Sequence, residues 1–163
     1  MEKTLVVAKF LNDLFKNENG TDVDQMKMHK LMYFAQRESL MYNKEPLFDS
    51  EFEGWKYGPV LVEVRDAYKN NDEVLFSSAL GKVSEDTENL LRSVYKRYGK
   101  VSSWNLSGLS HAELSWKSAR KGLKANENGS NKLVLGCMRL DAERELRWRR
   151  QVESGLRKEG DLN

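Results

Sequence analysis

Few residues in this chain have the type and spacing to do chemistry. His111-Ala112-Glu113 has the His-x-Glu spacing that opens a zinc deaminase site, where His ligates the metal and Glu moves protons. That site also needs a Cys-x-x-Cys pair, and Cys137 is the single cysteine. His29 is the one other histidine, and neither belongs to a His-Glu-x-x-His motif. Ser110 beside His111 supplies the types of a nucleophile and a base. Neighbours in sequence are seldom posed for that pairing, and no orienting acid is evident. No phosphate loop and no Gly-x-Gly-x-x-Gly is present. The failed search points away from an enzyme: no catalytic residue, cofactor or bound metal is expected. Cys137 sits in an apolar stretch and reads as a small hydrophobe. A lone cysteine permits no internal disulfide, which agrees with a reducing cytoplasm.

The totals narrow the class. The chain has 163 residues, 39% hydrophobic and 32% charged, with 2 prolines and a formal net charge of +2. This describes one helical domain with a charged surface. The net charge is too small to argue for nucleic acid. No apolar run approaches a membrane span. The short apolar start is broken by Lys9 and lacks a cleavage site, so no signal peptide is expected.

The elements that position these residues are mostly helices. Val7, Leu11, Leu14 and Phe15 place a helix at 3–16. Asp22 or Asp24 caps a second helix running to Tyr42, apolar on nearly every side and therefore central. His29 on it reads as a hydrogen-bonded core or boundary residue, and Lys30 as a side chain that carries its charge to water. Phe52-Glu53-Gly54-Trp55-Lys56-Tyr57-Gly58-Pro59-Val60 reads as an extended entry, a tight corner and a helix start. Pro59 suits the first helical position, and Phe52, Trp55 and Tyr57 would pin the corner to the core. That helix runs to about Lys69. Residues 73–83 read as two short strands or a packed loop. Ser84 caps a helix to Tyr98, stopped by Gly99. Ser102 or Ser103 caps a short helix with Trp104, Leu106 and Leu109, and a second short helix carries Leu114, Trp116 and Ala119. Residues 132–136 are briefly extended. The expected fold is a mainly α, compact single-domain bundle of about six helices. Extended pieces or a short hairpin lie around 47–57 and 73–83.

Residues 139–158 differ in composition, with seven Arg or Lys against four Asp or Glu. Arg144, Arg147 and Arg150 recur with Trp148 alongside. One reading is a basic face for an acidic protein or for nucleic acid, which makes Arg144, Arg147, Trp148 and Arg150 candidate partner contacts. The other, preferred from the interspersed Glu143, Glu145 and Glu153, is a solvated helix. The chain is expected to divide into a helical domain at 1–138 and a charged C-terminal helix with a frayed tail at 139–163. The apolar positions of that helix look too sparse to hold a core.

Three motifs carry a family resemblance. Lys30-Leu31-Met32-Tyr33-Phe34-Ala35, then Phe52 to Val60, then Leu109-Ser110-His111 with Trp116 resemble the Panacea domain of SocA-like antitoxins and phage-associated GepA-type proteins. The resemblance runs from about residue 5 to about residue 125, with Gly54 where the family often has Ala and Ser110 where it often has Thr. It marks Lys30, Leu31, Tyr33, Phe52, Trp55, Tyr57, Gly58, Pro59, Ser110, His111 and Trp116 as structural motif residues. It implies a non-catalytic cytoplasmic module that neutralises a cognate toxin by direct protein contact. The alternative it implies is an adaptor of phage or mobile-element origin that delivers a partner for proteolysis or modulates a host protein. A DNA-binding segment, which some relatives carry ahead of the domain, is not expected here.

Overall fold

The molecule is built around one helix. In the computed structural model, which describes residues 1–70 and 81–160, every residue from Lys27 to Met41 is buried. This is the helix α2 (Gln25–Tyr42), begun where the Asp24 side chain accepts from the Lys27 N–H. Its neighbours are α1 (Thr4–Asn19), α3 (Val62–Lys69), α4 (Glu85–Tyr98), α5 (Ser103–His111) and α7 (Leu135–Glu153). The short α6 (Leu114–Ala119) lies between α5 and α7. A helix surrounded in this way has no face left for water, which explains an apolar pattern without a polar stripe. Phe34 stacks on Tyr98 of α4 at 4.3 Å, while Tyr33 meets Phe52 edge-on.

The helix starts follow local chemistry. Ser84 and Ser102 accept from the N–H groups of Thr87 and Asn105, each satisfying a donor that has no partner within its helix. Gly20, at φ 78°, ends α1 in a left-handed turn, and the helix reaches Asn19, three residues beyond the expected end at 16.

The expected corner at 52–60 is a hairpin. Strand β1 (Glu53–Trp55) pairs antiparallel with β2 (Gly58–Val60), with Lys56 and Tyr57 as the turn. Pro59 therefore sits in a strand rather than at a helix start, and α3 begins at Val62. The short two-stranded sheet tolerates Pro there. Residues 131–133 line the other side of β1: Gly54 N–H donates to the Asn131 carbonyl and Leu133 N–H to the Phe52 carbonyl, both at 2.8 Å. Of the three aromatics expected to anchor the corner, Phe52 is buried, Trp55 is half-buried and Tyr57 is exposed. Tyr57 sits in the tight turn, which projects away from the core, and Trp55, an odd number of residues from Phe52, faces the other way from it. Of the reading at 73–83, residues 73–80 lie outside the described residues.

Helix α7 departs from expectation too. It starts at Leu135, so the expected division at 138/139 falls inside it. It packs along α2 and α6 and buries Met138, Asp141, Ala142 and Arg149. Polar side chains do much of this packing, which is why a count of apolar positions undervalued the helix.

Candidate functional site

Four backbone carbonyls of the hairpin are each held by a side chain from elsewhere. Arg120 donates to Gly54 at 3.0 Å, and the Trp116 indole N–H to Trp55 at 2.7 Å. The Ser107 hydroxyl donates to Tyr57 at 2.6 Å, and Lys30 Nζ to Pro59 at 3.2 Å. Gly58 fits between one of these supports, Lys30, and the Ser110 side chain. Its φ is +118°, and a Cβ there would come within 2.5 Å of Ser110 Oγ and 2.6 Å of Lys30 Cε. Glycine is thus required both for the backbone angle and for the close approach. His111 lies flat on Trp116, 4.1 Å between ring centroids and 6° between planes. Lys30, Trp55, Tyr57, Gly58, Pro59, Ser110, His111 and Trp116 therefore meet around one hairpin.

These contacts leave the Ser110–His111 pair unassembled. The Ser110 hydroxyl is buried and donates to the Ser107 carbonyl at 2.7 Å. Among the described residues no group of three or more His, Cys, Asp or Glu could hold a metal ion. No helix among them is long and apolar enough to cross a membrane.

A cleft of about 700 Å³ opens beside the hairpin, walled by Met26, His29, Lys30, Trp55, Tyr57 and Val60 among others. His29 is buried, with Nδ1 accepting from the Leu61 N–H and Nε2 against Gln25, both at 3.2 Å. Burial, with the Lys30 and Arg65 charges, pushes it down to about 3. Lys30 is also buried, contrary to the expectation that it reaches water, and desolvation lowers its amine to about 8. Outside the cleft Tyr57 meets Trp104 edge-on at 5.5 Å, and the two rings are 46% and 65% exposed.

Tyr33 takes part in a different cluster. Its hydroxyl stands 2.9 Å from Glu113 Oε2, 2.9 Å from Ser115 Oγ and 3.3 Å from Asp141 Oδ2. Arg37 bonds Glu113 at 2.9 Å and the Tyr98 hydroxyl at 2.7 Å. Asp141 reaches from α7 to accept the Leu114 and Ser115 N–H groups at 2.7 and 2.9 Å, capping α6 from another helix. Arg149 forks onto Glu38. This buried network joins α2, α4, α6 and α7. Leu31 simply packs in the core.

Of the candidate contacts on α7, Arg144, Arg147 and Trp148 line a shallow depression of about 270 Å³, and Arg150 is exposed outside its lining. Arg144 is partly committed, donating to the Ala112 carbonyl at 3.1 Å. The Trp148 indole N–H is buried with no partner among the described residues. Sequence reasoning missed Arg37, Ser107, Arg120, Asp141 and Arg149, and met Glu113 only within the His-x-Glu spacing. The available signal was Arg37 and Glu38 inside a helix with no solvent face, since buried charges demand partners.

The family model described as "Antitoxin SocA-like, Panacea domain" matches residues 28–117, more than half of the chain. The protein belongs to this family. The Panacea match runs from α2 through the hairpin to α6, so it contains the whole set of motif residues clustered at the hairpin. Helices α1 and α7 lie outside it. No curated protein and no solved structure matches the chain.

Proposed function

We propose that the protein is a non-catalytic binding module that acts in the cytoplasm and neutralises a toxin by direct contact, using the hairpin face. One observation carries the choice of face: Tyr57 stands out into solvent on a hairpin whose backbone is fixed by four side-chain hydrogen bonds, edge-on to the exposed Trp104 of α5. Exposed Tyr and Trp are frequent interface anchors, and a rigid mount lowers the ordering cost of binding. Membership of an antitoxin-like family supports the same reading.

The test is co-expression with a toxin encoded beside the gene. Wild type should restore growth and co-purify with the toxin. The double variant Tyr57→Ala, Trp104→Ala should fold, as judged by its melt, and lose both properties. The Arg147→Glu, Arg150→Glu variant serves as the competing face on α7 and should retain them. Loss of rescue in that variant alone would move the contact to α7. Rescue accompanied by disappearance of the toxin would assign a degradation adaptor instead.

A further inference from the structure

The cleft beside the hairpin is lined by a buried cation, Lys30, that has no counter-ion among the described residues. Lys30 is 1% exposed, enters no ion pair among the described residues, and has the Pro59 carbonyl as its one hydrogen-bond acceptor. An ammonium group has three donors, and a buried charge is costly unless paired. The acid whose field reaches it, Asp24, is engaged in capping α2 and in bonds to the Ser103 hydroxyl. Lys56 also lines the cleft and forms no ion pair among the described residues, and no carboxylate stands among the described lining residues. His29 adds no charge, because both ring nitrogens are engaged and burial keeps it neutral. The remaining walls include Met26, Trp55, Tyr57 and Val60. The cleft is therefore apolar with a positive charge in its wall. Its volume lies within the ~300–1,000 Å³ of ordinary ligand sites.

We infer that this cleft receives a short apolar segment of the protein partner, anchored by a carboxylate that pairs with Lys30. The inference rests on the protein-contact reading above and specifies the chemistry of what is bound. A carboxylate supplies the missing acceptor and the opposite charge together. The aromatic walls cover the apolar part of the segment, and Tyr57 joins the cleft to the exposed rings outside it. The occupant is a peptide rather than a free small acid, because the cleft opens on the same face that presents Tyr57 and Trp104.

The experiment uses the full chain and no toxin. The probes are a pool of short acetylated apolar peptides each bearing one carboxylate, the same pool with that group as an amide, and hexanoate. Binding is read from tryptophan fluorescence, and Lys30 from the NMR titration of labelled lysine side chains. The acid pool should bind at least about tenfold tighter than the amide pool, as a charged hydrogen-bonded contact gives, and should raise the titration point of Lys30. Lys30→Met should remove the discrimination. Equal affinity for both pools in the wild type, no binding of the acid pool, or a response confined to Lys56 overturns the proposal. Hexanoate binding as tightly as the peptides overturns the peptide occupant. The wild-type comparison stands even where Lys30→Met fails to fold. Failure here leaves toxin neutralisation standing, and failure of rescue in cells leaves this binding result standing.

Discussion

His29 has its ring nitrogens engaged on both sides, one by the Leu61 N–H and one by Gln25. In the folded protein it titrates at about 3, against 6.5 when free. Between those values the unfolded chain takes up a proton that the folded one refuses. Stability is therefore undiminished above 6.5 and falls as the pH drops toward 3. At about pH 5 the loss should reach roughly 2 kcal/mol relative to neutrality. Urea midpoints at the two pH values measure it, and His29→Gln should flatten the difference while lowering stability at both. A wild-type midpoint that does not move would place a proton on His29 in the folded state. Lys30 next to it acts in the opposite pH range. Its amine at about 8 is easier to bury uncharged, so its cost is full below that value and relieved as the pH rises toward 10.5.

Among the elements, α6 depends on a residue 27 positions after its start. Glu113 at its N-cap makes no side-chain capping bond, and Asp141 of α7 accepts the Leu114 and Ser115 N–H groups instead. Asp141→Asn can keep one of those bonds but presents a donor to the other. The expected cost is roughly 1–3 kcal/mol, read as a lower urea midpoint. An unchanged midpoint would mean that α6 is held by packing alone. This borrowed cap shows where the sequence was legible. Ser84, Ser102 and Asp24 are local caps three residues from the N–H groups they serve; Ser84 was legible outright, and the other two as one of a pair, with Ser103 and Asp22 as the alternatives. The central place of α2 was visible because its apolar residues leave no polar stripe. A short hairpin around 47–57 was among the readings, but its second strand was obscured because Gly-Pro is equally good chemistry for a helix start, and the deciding contacts come from Ser107, Trp116 and Arg120, far along the chain. The role of α7 was hidden for the same reason. Its value lies in Asp141 and Arg149, whose partners Glu38, Leu114 and Ser115 no periodicity can connect. The meeting of the motif residues was visible only as three separate stretches.

Taken as a whole, the molecule closes with its last helix. Truncation after Arg139 would leave Glu38 without Arg149, and Leu114 and Ser115 without Asp141. Stranding one partner of a buried ion pair costs roughly 3–5 kcal/mol, and whole domains have only about 5–15 kcal/mol in reserve. The truncated protein should lose its cooperative thermal melt and its rescue of growth together. An intact melt with lost rescue would instead make α7 a contact surface laid on a self-sufficient body. The position of α7 also has a consequence for timing during synthesis. Its strongest partner surface, α2, is translated about 100 residues earlier, which at ribosomal speeds is roughly 5–20 s. Throughout that interval the most buried of the described helices waits without part of its cover. A nascent chain interrupted before α7 would keep that surface open to contact with other chains.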